Sequence, residues 1–316
     1  MKLCRRLTFL SAAGLALLSG CNRGEKSAAR DARVPAKPTI ALVMKTLNHP
    51  FFIDMQKGAE EAAQKLGVNL IVQAADREVD AERQMQIIEN LIERKVSVLC
   101  ITPSGSREIV PVIVKANQAG IPVLIVDTRV DAKALTAAGG KIATFIGSDN
   151  YDGGKIAGAF VVEKLGGHGH LAIIEGIPGH ETGDARLRGF RESISQAPGL
   201  MVVASQPANW ERDQGFNVFQ NILQAHPEVN VVFACSDLMA LGAIEAIAAA
   251  GKTGKILVVG FDALPEARAA VKKGTMAATV AQFPQRMGSA AIENAAKLLA
   301  GEKIPEFTPV GIELVK

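Results

Sequence analysis

From residue 39 to the C-terminus, short apolar runs alternate with segments of helical period, and this alternation leaves few folds open. Strand-like runs fall at residues 39–44, 68–73, 96–101, 122–126, 142–146, 171–175, 201–204, 229–234, 256–260 and 277–281. Between them, Met85, Ile88, Leu91 and Ile92 return to one helical face, as do Ile109, Val112, Ile113 and Ala116, and Leu238, Leu241, Ile244 and Ile247. Repeated strand–helix–strand units predict parallel sheets with helices on both faces, because a parallel connection must cross over the sheet. Roughly ten strands make one large sheet or two smaller ones, and the span favours two. Crossings between the two are expected at Ser148-Asp149-Asn150 and near Gln282-Phe283-Pro284, which makes each lobe discontinuous.

The first unit is the most informative. Thr39 to Met44 is nearly unbroken apolar sequence, as in a strand covered on both faces. Asn48 or His49 can cap the helix that follows, and Pro50 suits its first position. Phe52, Met55, Ala59, Ala62 and Leu66 then share one face until Gly67 ends the pattern. Phe51 and Phe52 are adjacent rings at the carboxyl end of the first strand. At least one is expected to face the crevice where open α/β sheets bind ligands; the alternative is that both pack under the helix. The chain has one Trp, one Tyr and 12 Phe, so two rings here argue for a binding surface.

Residues 1–20 address the chain to export. Lys2, Arg5 and Arg6 precede an apolar run from Leu7 to Leu18, which ends in Leu18-Ser19-Gly20-Cys21. A basic start, a short apolar core and a small-residue cleavage site read as a secretory signal, and the run is too short to span a bilayer. Cys21 after Ser-Gly is similar to the lipobox of bacterial lipoproteins, in which that Cys becomes the acylated N-terminus; the alternative is an ordinary signal peptide with a coincidental Cys. The segment that follows, to residue 38, reads as a solvated tether, so the mature chain is expected to be lipid-anchored to a membrane surface rather than to span it. Loss of residues 1–20 removes three of 35 basic residues and none of the 32 acidic ones. The formal charge of +3 falls to zero, which leaves no field for nucleic acid. Cys4 lies in the signal and Cys21 at the anchor. Cys100 and Cys235 sit beside apolar strand residues and read as buried free thiols, with a disulfide or metal pair as the alternative.

Motifs that would carry catalysis are incomplete, and no cofactor is expected. Gly251-Lys252-Thr253 lacks the glycine a phosphate loop needs five positions earlier, where Ala246 stands, and it follows a helix. Lys252-Thr253-Gly254 has no Ser-x-x-Lys partner. Gly166-Gly167-His168-Gly169 precedes a strand and lacks dinucleotide-binding spacing. His168, His170 and His180 are close in sequence, without a Cys or acidic cluster to complete a metal site.

Six segments in order carry a resemblance: Thr39-Ile40-Ala41-Leu42-Val43, Asn48-His49-Pro50-Phe51-Phe52, Ser148-Asp149-Asn150, Ser205-Gln206-Pro207-Ala208, Met239-Ala240-Leu241-Gly242-Ala243 and Val259-Gly260-Phe261-Asp262. Together they resemble the ribose-binding-protein-like family, periplasmic sugar-binding components of ATP-driven importers that share a fold with the ligand domains of lac-repressor-type regulators. The resemblance implies a type I periplasmic binding protein: α/β, with two doubly wound parallel-sheet lobes joined by a three-segment hinge. One lobe would hold residues 39–148 plus 283–311 and the other 149–282 plus 312–316, after a signal peptide at 1–20 and a tether at 21–38. It further implies a monomeric, non-enzymatic receptor in the periplasm or on the outer face of the cell membrane. Such a receptor closes on a monosaccharide or polyol and delivers it to the transmembrane permease subunits of an ABC-type importer. A sugar-sensing receptor that signals through a membrane sensor protein is the alternative.

The same resemblance maps a ligand site onto this chain. Lys45, His49, Phe51 and Phe52 fall in the first binding loop, and Thr102, Asp127 and Thr128 at the ends of later strands. Asp184, Trp210, Ser236, Phe261 and Asp262 come from the second lobe, and Gln282 from the hinge. These residue types suit a sugar, whose C–H faces stack on aromatic rings and whose hydroxyls need fixed donors and acceptors. Phe52 and Trp210 are expected to sandwich the ring, with Asp127 and Asp262 accepting hydroxyl hydrogen bonds. Packing alone for Phe261 and helix capping for Asp262 are the alternatives. Lys45, His49, Thr128, Asp184 and Ser236 depart from the ribose-type pattern, so ribose itself is not expected, and Arg186 matches a neighbouring structural Arg. Lys45 and Asp184 exchange charge relative to that pattern and are expected to meet across the closed site. The alternatives give Lys45 to an acidic ligand and Asp184 to solvent or Arg129, or leave both at the rim.

Overall fold

The apolar runs become strands covered on both faces. In the computed structural model, which describes residues 37–316, β1 (Thr39–Met44) divides its side chains between two cores. Ile40, Leu42 and Met44 enter one; Ala41 and Val43 enter the other. β3 (Val98–Ile101) and β4 (Val123–Val126) divide in the same way, with Val98, Cys100, Leu124 and Val126 on the first face and Leu99, Ile101, Val123 and Ile125 on the second. A period of two with both faces apolar is what makes each run unbroken. The signal sequence, Cys21 and most of the tether lie outside the described residues.

Two six-stranded sheets result. With β2 (Asn69–Ala74), β5 (Thr144–Gly147) and β11 (Phe307–Pro309), the first has the order β11-β5-β4-β3-β1-β2. The second contains β6 (His168–Glu175), β7 (Gly199–Pro207), β8 (Val231–Ala234), β9 (Leu257–Asp262), β10 (Ala278–Ala281) and β12 (Glu313–Val315), in the order β12-β10-β9-β8-β6-β7. Pairing is parallel except at one edge, where β12 runs antiparallel to β10. β11 and β12 escape the reading of apolar runs because Phe-Thr-Pro and Glu-Leu-Val are three-residue edge strands with little apolar sequence. The chain leaves the first sheet between β5 and α5 (Asn150–Leu165), returns between β10 and α10 (Pro284–Leu299), and crosses again between β11 and β12. The first two crossings are those expected from Ser148-Asp149-Asn150 and Gln282-Phe283-Pro284, and the three together join the lobes.

In each lobe, helices pack main chain against main chain at glycines. α1 (Pro50–Leu66) meets α10 where Gly58 lies against the backbone of Gln285 and Gly288 against the carbonyl of Met55. α5 meets α6 (Glu181–Ile194) where Gly154 lies against the Arg186 carbonyl and Gly189 against that of Tyr151. A Cβ at any of the four would enter its partner's backbone. These contacts set the positions of α1 and α6, whose amino-terminal turns carry Phe51, Phe52 and Thr182. Cys100 and Cys235 are buried free thiols in different lobes, and burial pushes each up to about 12. Among the described residues no helix is long and apolar enough to cross a membrane.

Candidate functional site

The site begins with a local cap. His49 Nδ1 accepts the Phe51 N–H at 3.1 Å, and Pro50 takes the first helical position. Asn48, the other capping candidate, instead donates from Nδ2 to the Asp76 carbonyl at 3.0 Å and ties this loop to the one after β2. The cap fixes where the next two side chains leave α1. Phe51 and Phe52 pack edge to face with centroids 5.3 Å apart, are 4% and 3% exposed, and both line a closed space between the lobes. Lys45, His49, Glu78 and Asp127 complete the first lobe's share, while Thr182, Arg186, Trp210, Ser236 and Asp262 come from the second and Gln282 from the return crossing. The walls leave a cavity of about 320 Å³ between the lobes. A space this small and narrow suits a monosaccharide-sized molecule, not an oligomer.

Asp127 and Asp262 hold corresponding places, each at the carboxyl end of the fourth strand of its lobe's run in sequence. Both have positive φ, 64° and 113°, where a non-glycine backbone is strained. Thr128 Oγ1 donates to Asp127 Oδ2 at 2.9 Å and accepts from Thr182 Oγ1 at 3.0 Å, a chain that couples the lobes. Asp262 Oδ1 accepts from Gln282 Nε2 at 2.8 Å and lies 3.4 Å from the Arg186 guanidinium. Burial holds the Asp262 carboxyl above its usual range against the pull of Arg186. Asp262 does not cap a helix: α9 (Pro265–Lys273) begins at Leu264 without a side-chain cap. Ser236 does cap α8 (Asp237–Ala249), accepting the Met239 N–H at 3.5 Å. Behind it, Asp237 accepts from Thr279 Oγ1 at 2.7 Å and the Leu264 N–H at 2.8 Å; burial and the neighbouring Asp262 charge push its carboxyl up.

Trp210 is 5% exposed, its benzo edge lies against Gly176 and Gly183, and its Nε1–H is buried without a protein partner. Arg186, read from the sequence as structural, lies in the wall as well as in the frame. Its Nε donates to Asn150 Oδ1 at 2.8 Å, its Nη1 to the Cys235 carbonyl at 2.6 Å, and its plane lies 3.8 Å over the Phe261 ring.

Other expected residues lie outside the cavity. Thr102 is buried behind it, its carbonyl accepting from Gln84 Nε2 at 2.9 Å; Thr128 acts through Asp127; Phe261 is covered by Arg186. Asp184 lines a larger neighbouring space, where burial raises its carboxyl and the charge of Arg188 opposes the rise. The expected meeting of Lys45 with Asp184 is replaced by a nearer pairing. Lys45 Nζ lies 3.4 Å from Glu78 and 3.9 Å from Asp127, and Lys45 is 3% exposed, not at the rim. Glu78 wins because β2 pairs with β1 and its loop ends beside Lys45. Glu78, Thr182 and Arg186 are the cavity members that sequence reasoning did not assign to the site. The available signal was position: Glu78 and Thr182 follow the carboxyl ends of β2 and β6, where α/β sheets hold ligands.

Two histidines are kept neutral. Burial lowers His49, and burial, aided by the charge of Lys45, pushes His180 down to about 3. His180 belongs to the second lobe and Lys45 to the first, so lobe closure imposes part of this shift. A histidine exposed in the open form takes up a proton below its ordinary value of 6.5 and must release it to close. Closure is therefore unaffected by His180 above about pH 7 and opposed as the pH falls. Between pH 7.5 and 5.5, ligand affinity of the natural chain is expected to fall about tenfold relative to His180→Gln. The comparison cancels the buried carboxylates, whose raised values act in the opposite sense. Parallel titrations of the two proteins by calorimetry measure the ratio, and a constant ratio would refute the assignment.

Comparison with known proteins places this geometry in a family. The model of a periplasmic binding protein domain matches residues 40–303. The chain is 41% identical over 289 residues to the ribose import binding protein RbsB of Escherichia coli K12, covering 92% of this chain and 94% of that protein. It is 39% identical over 287 residues to the D-allose-binding periplasmic protein of the same organism, covering 89% and 92%. Among solved structures, it is similar to an ABC transporter periplasmic solute binding protein from Actinobacillus succinogenes with bound D-allose: TM-score 0.83, 42% identity, 89% of this chain and 98% of that one. A Bacillus halodurans solute binding protein with bound myo-inositol gives a TM-score of 0.81 at 30% identity, over 89% and 94%.

Proposed function

Because the chain belongs to the periplasmic binding protein family, whose members here are substrate-binding transport proteins, we propose that it captures a monosaccharide or related polyol between its lobes and delivers it to an ABC-type importer. The observation that carries this reading is the closed cavity itself, in which each lobe contributes an aromatic wall and a carboxylate: Phe52 with Asp127, and Trp210 with Asp262. Neither half is a site alone. Stacking of Phe52 and Trp210 on a sugar's C–H faces, with the two carboxylates accepting from its hydroxyls, would use every wall and require closure. The lobes are taken as residues 39–148 plus 283–311 and 149–282 plus 312–316. The chain is taken to act as a monomer, to be exported by residues 1–20, to be lipid-anchored at Cys21 and to dock on permease transmembrane subunits. The relatives that bind D-allose and myo-inositol direct the choice of ligands to test.

A thermal-shift screen of pentoses, hexoses and polyols tests the function. A ligand present at 100 times its Kd stabilises the folded chain by about 2.7 kcal/mol. Solution scattering with that ligand should report a smaller radius of gyration than without it, as the lobes close. Absence of any stabilising sugar, or identical scattering at saturation, would count against the reading.

A further inference from the structure

Both cations of the cavity wall are engaged by protein carboxylates. Lys45 Nζ lies 3.4 Å from Glu78 Oε2 and 3.9 Å from Asp127 Oδ2, and Arg186 lies 3.4 Å from Asp262 Oδ1. All five side chains are under a tenth exposed. Among the described residues the wall sets three carboxyl groups against two cations, with His49 held neutral by burial. A ligand carboxylate entering this space would find no cation free to meet it, in surroundings where an unpaired charge is most costly.

Glu78 decides that balance. It reaches the wall from the loop after β2, while Lys45 stands at the end of β1 with Nζ 5.7 Å from the Phe52 ring centroid. Burial raises the Glu78 carboxyl and the nearby Lys45 charge opposes the rise. Without Glu78, the Lys45 ammonium would face the cavity with only Asp127 beyond 3.5 Å to balance it. We propose that Glu78 is a specificity-determining residue: by holding Lys45 it reserves the site for uncharged sugars and polyols and excludes sugar acids. The inference rests on the sugar-capture reading and names the chemical class within it.

Calorimetric titration of the full chain at pH 7 tests it. The neutral probes are D-ribose, D-allose and myo-inositol; the acids are D-ribonate and D-glucuronate; the cation is D-glucosamine. The natural chain should bind a neutral probe and bind both acids far more weakly. Glu78→Gln should shift the acid-to-neutral affinity ratio toward the acids by about tenfold or more, and Lys45→Met added to it should abolish the shift. Lys45→Met alone is the mirror image, freeing Glu78 and shifting preference toward glucosamine. Either variant decides the matter if the other fails to fold, which thermal melting without ligand reports. A natural chain that prefers acids, or folded variants that keep its ratio, would overturn the inference and leave sugar capture standing. A natural chain that binds none of the probes would remove sugar capture and this inference with it.

Discussion

Gly176→Ala is expected to lower sugar affinity about a hundredfold and to change the emission of the chain's single Trp, with the second lobe still folded. The Cβ introduced at residue 176 would enter the six-membered ring of Trp210, meeting Cζ2, Cη2 and Cε2. On that side the ring already packs closely against Gly183, which leaves it little room to retreat. It must swing toward Arg186, whose guanidinium carbon is 5.7 Å from it, and into the cavity. Overpacking of this kind costs about 1–3 kcal/mol, and loss of a buried aromatic anchor costs about 2 kcal/mol or more in binding. Calorimetry gives the affinity, and fluorescence gives the indole's environment without interference, since no other Trp is present. Adding Trp210→Phe removes the benzo edge that the methyl group strikes, so the double variant should bind better than Gly176→Ala alone. Unchanged affinity in Gly176→Ala would return Trp210 to a packing role.

Gly288→Val is expected to destabilise the first lobe by about 3 kcal/mol or more, lowering its melting transition by about 6–12 °C. Residue 288 has no room for a side chain: a Cβ there would overlap the carbonyl of Met55 and crowd the nitrogen of Ala59 on α1. Backbone cannot step aside as a flexible side chain can, so α10 must lift from α1 and expose Met287, Ala291 and Ile292, now buried. Because α1 carries Phe51 and Phe52, the same displacement should weaken ligand binding. Calorimetric melting of the variant without ligand measures the effect. A transition within a degree of the natural chain's would show that the two helices are not seated on this glycine.

The order of strands and helices was legible because its causes are short-range. Apolar runs such as Ile40 to Met44 report burial on both faces, the cap at His49 and Pro50 is made within four residues, and Gly67 ends α1 with a φ of 67°. The two crossings were likewise expected at 148–150 and 282–284, each where a strand is followed by a helix start. Phe51 and Phe52 stood out as adjacent rings at a strand end, whereas Trp210, Asp127 and Asp262 were assigned to the site through the family resemblance. Only the tertiary structure decided how charges are paired. Lys45 meets Glu78 because two strands 30 residues apart in register lie side by side, and Asp184 is left outside because its turn of α6 opens on another space. Arg186 stacks on Phe261, bonds Cys235 and still reaches the cavity, three roles set by residues far apart in the chain. The short edge strands β11 and β12 follow the same logic, since each is defined by a neighbouring strand rather than by its own sequence. Periodicity and capping act within a few residues and can be read along the chain; the partner of a buried charge is chosen by which distant segment removes it from water.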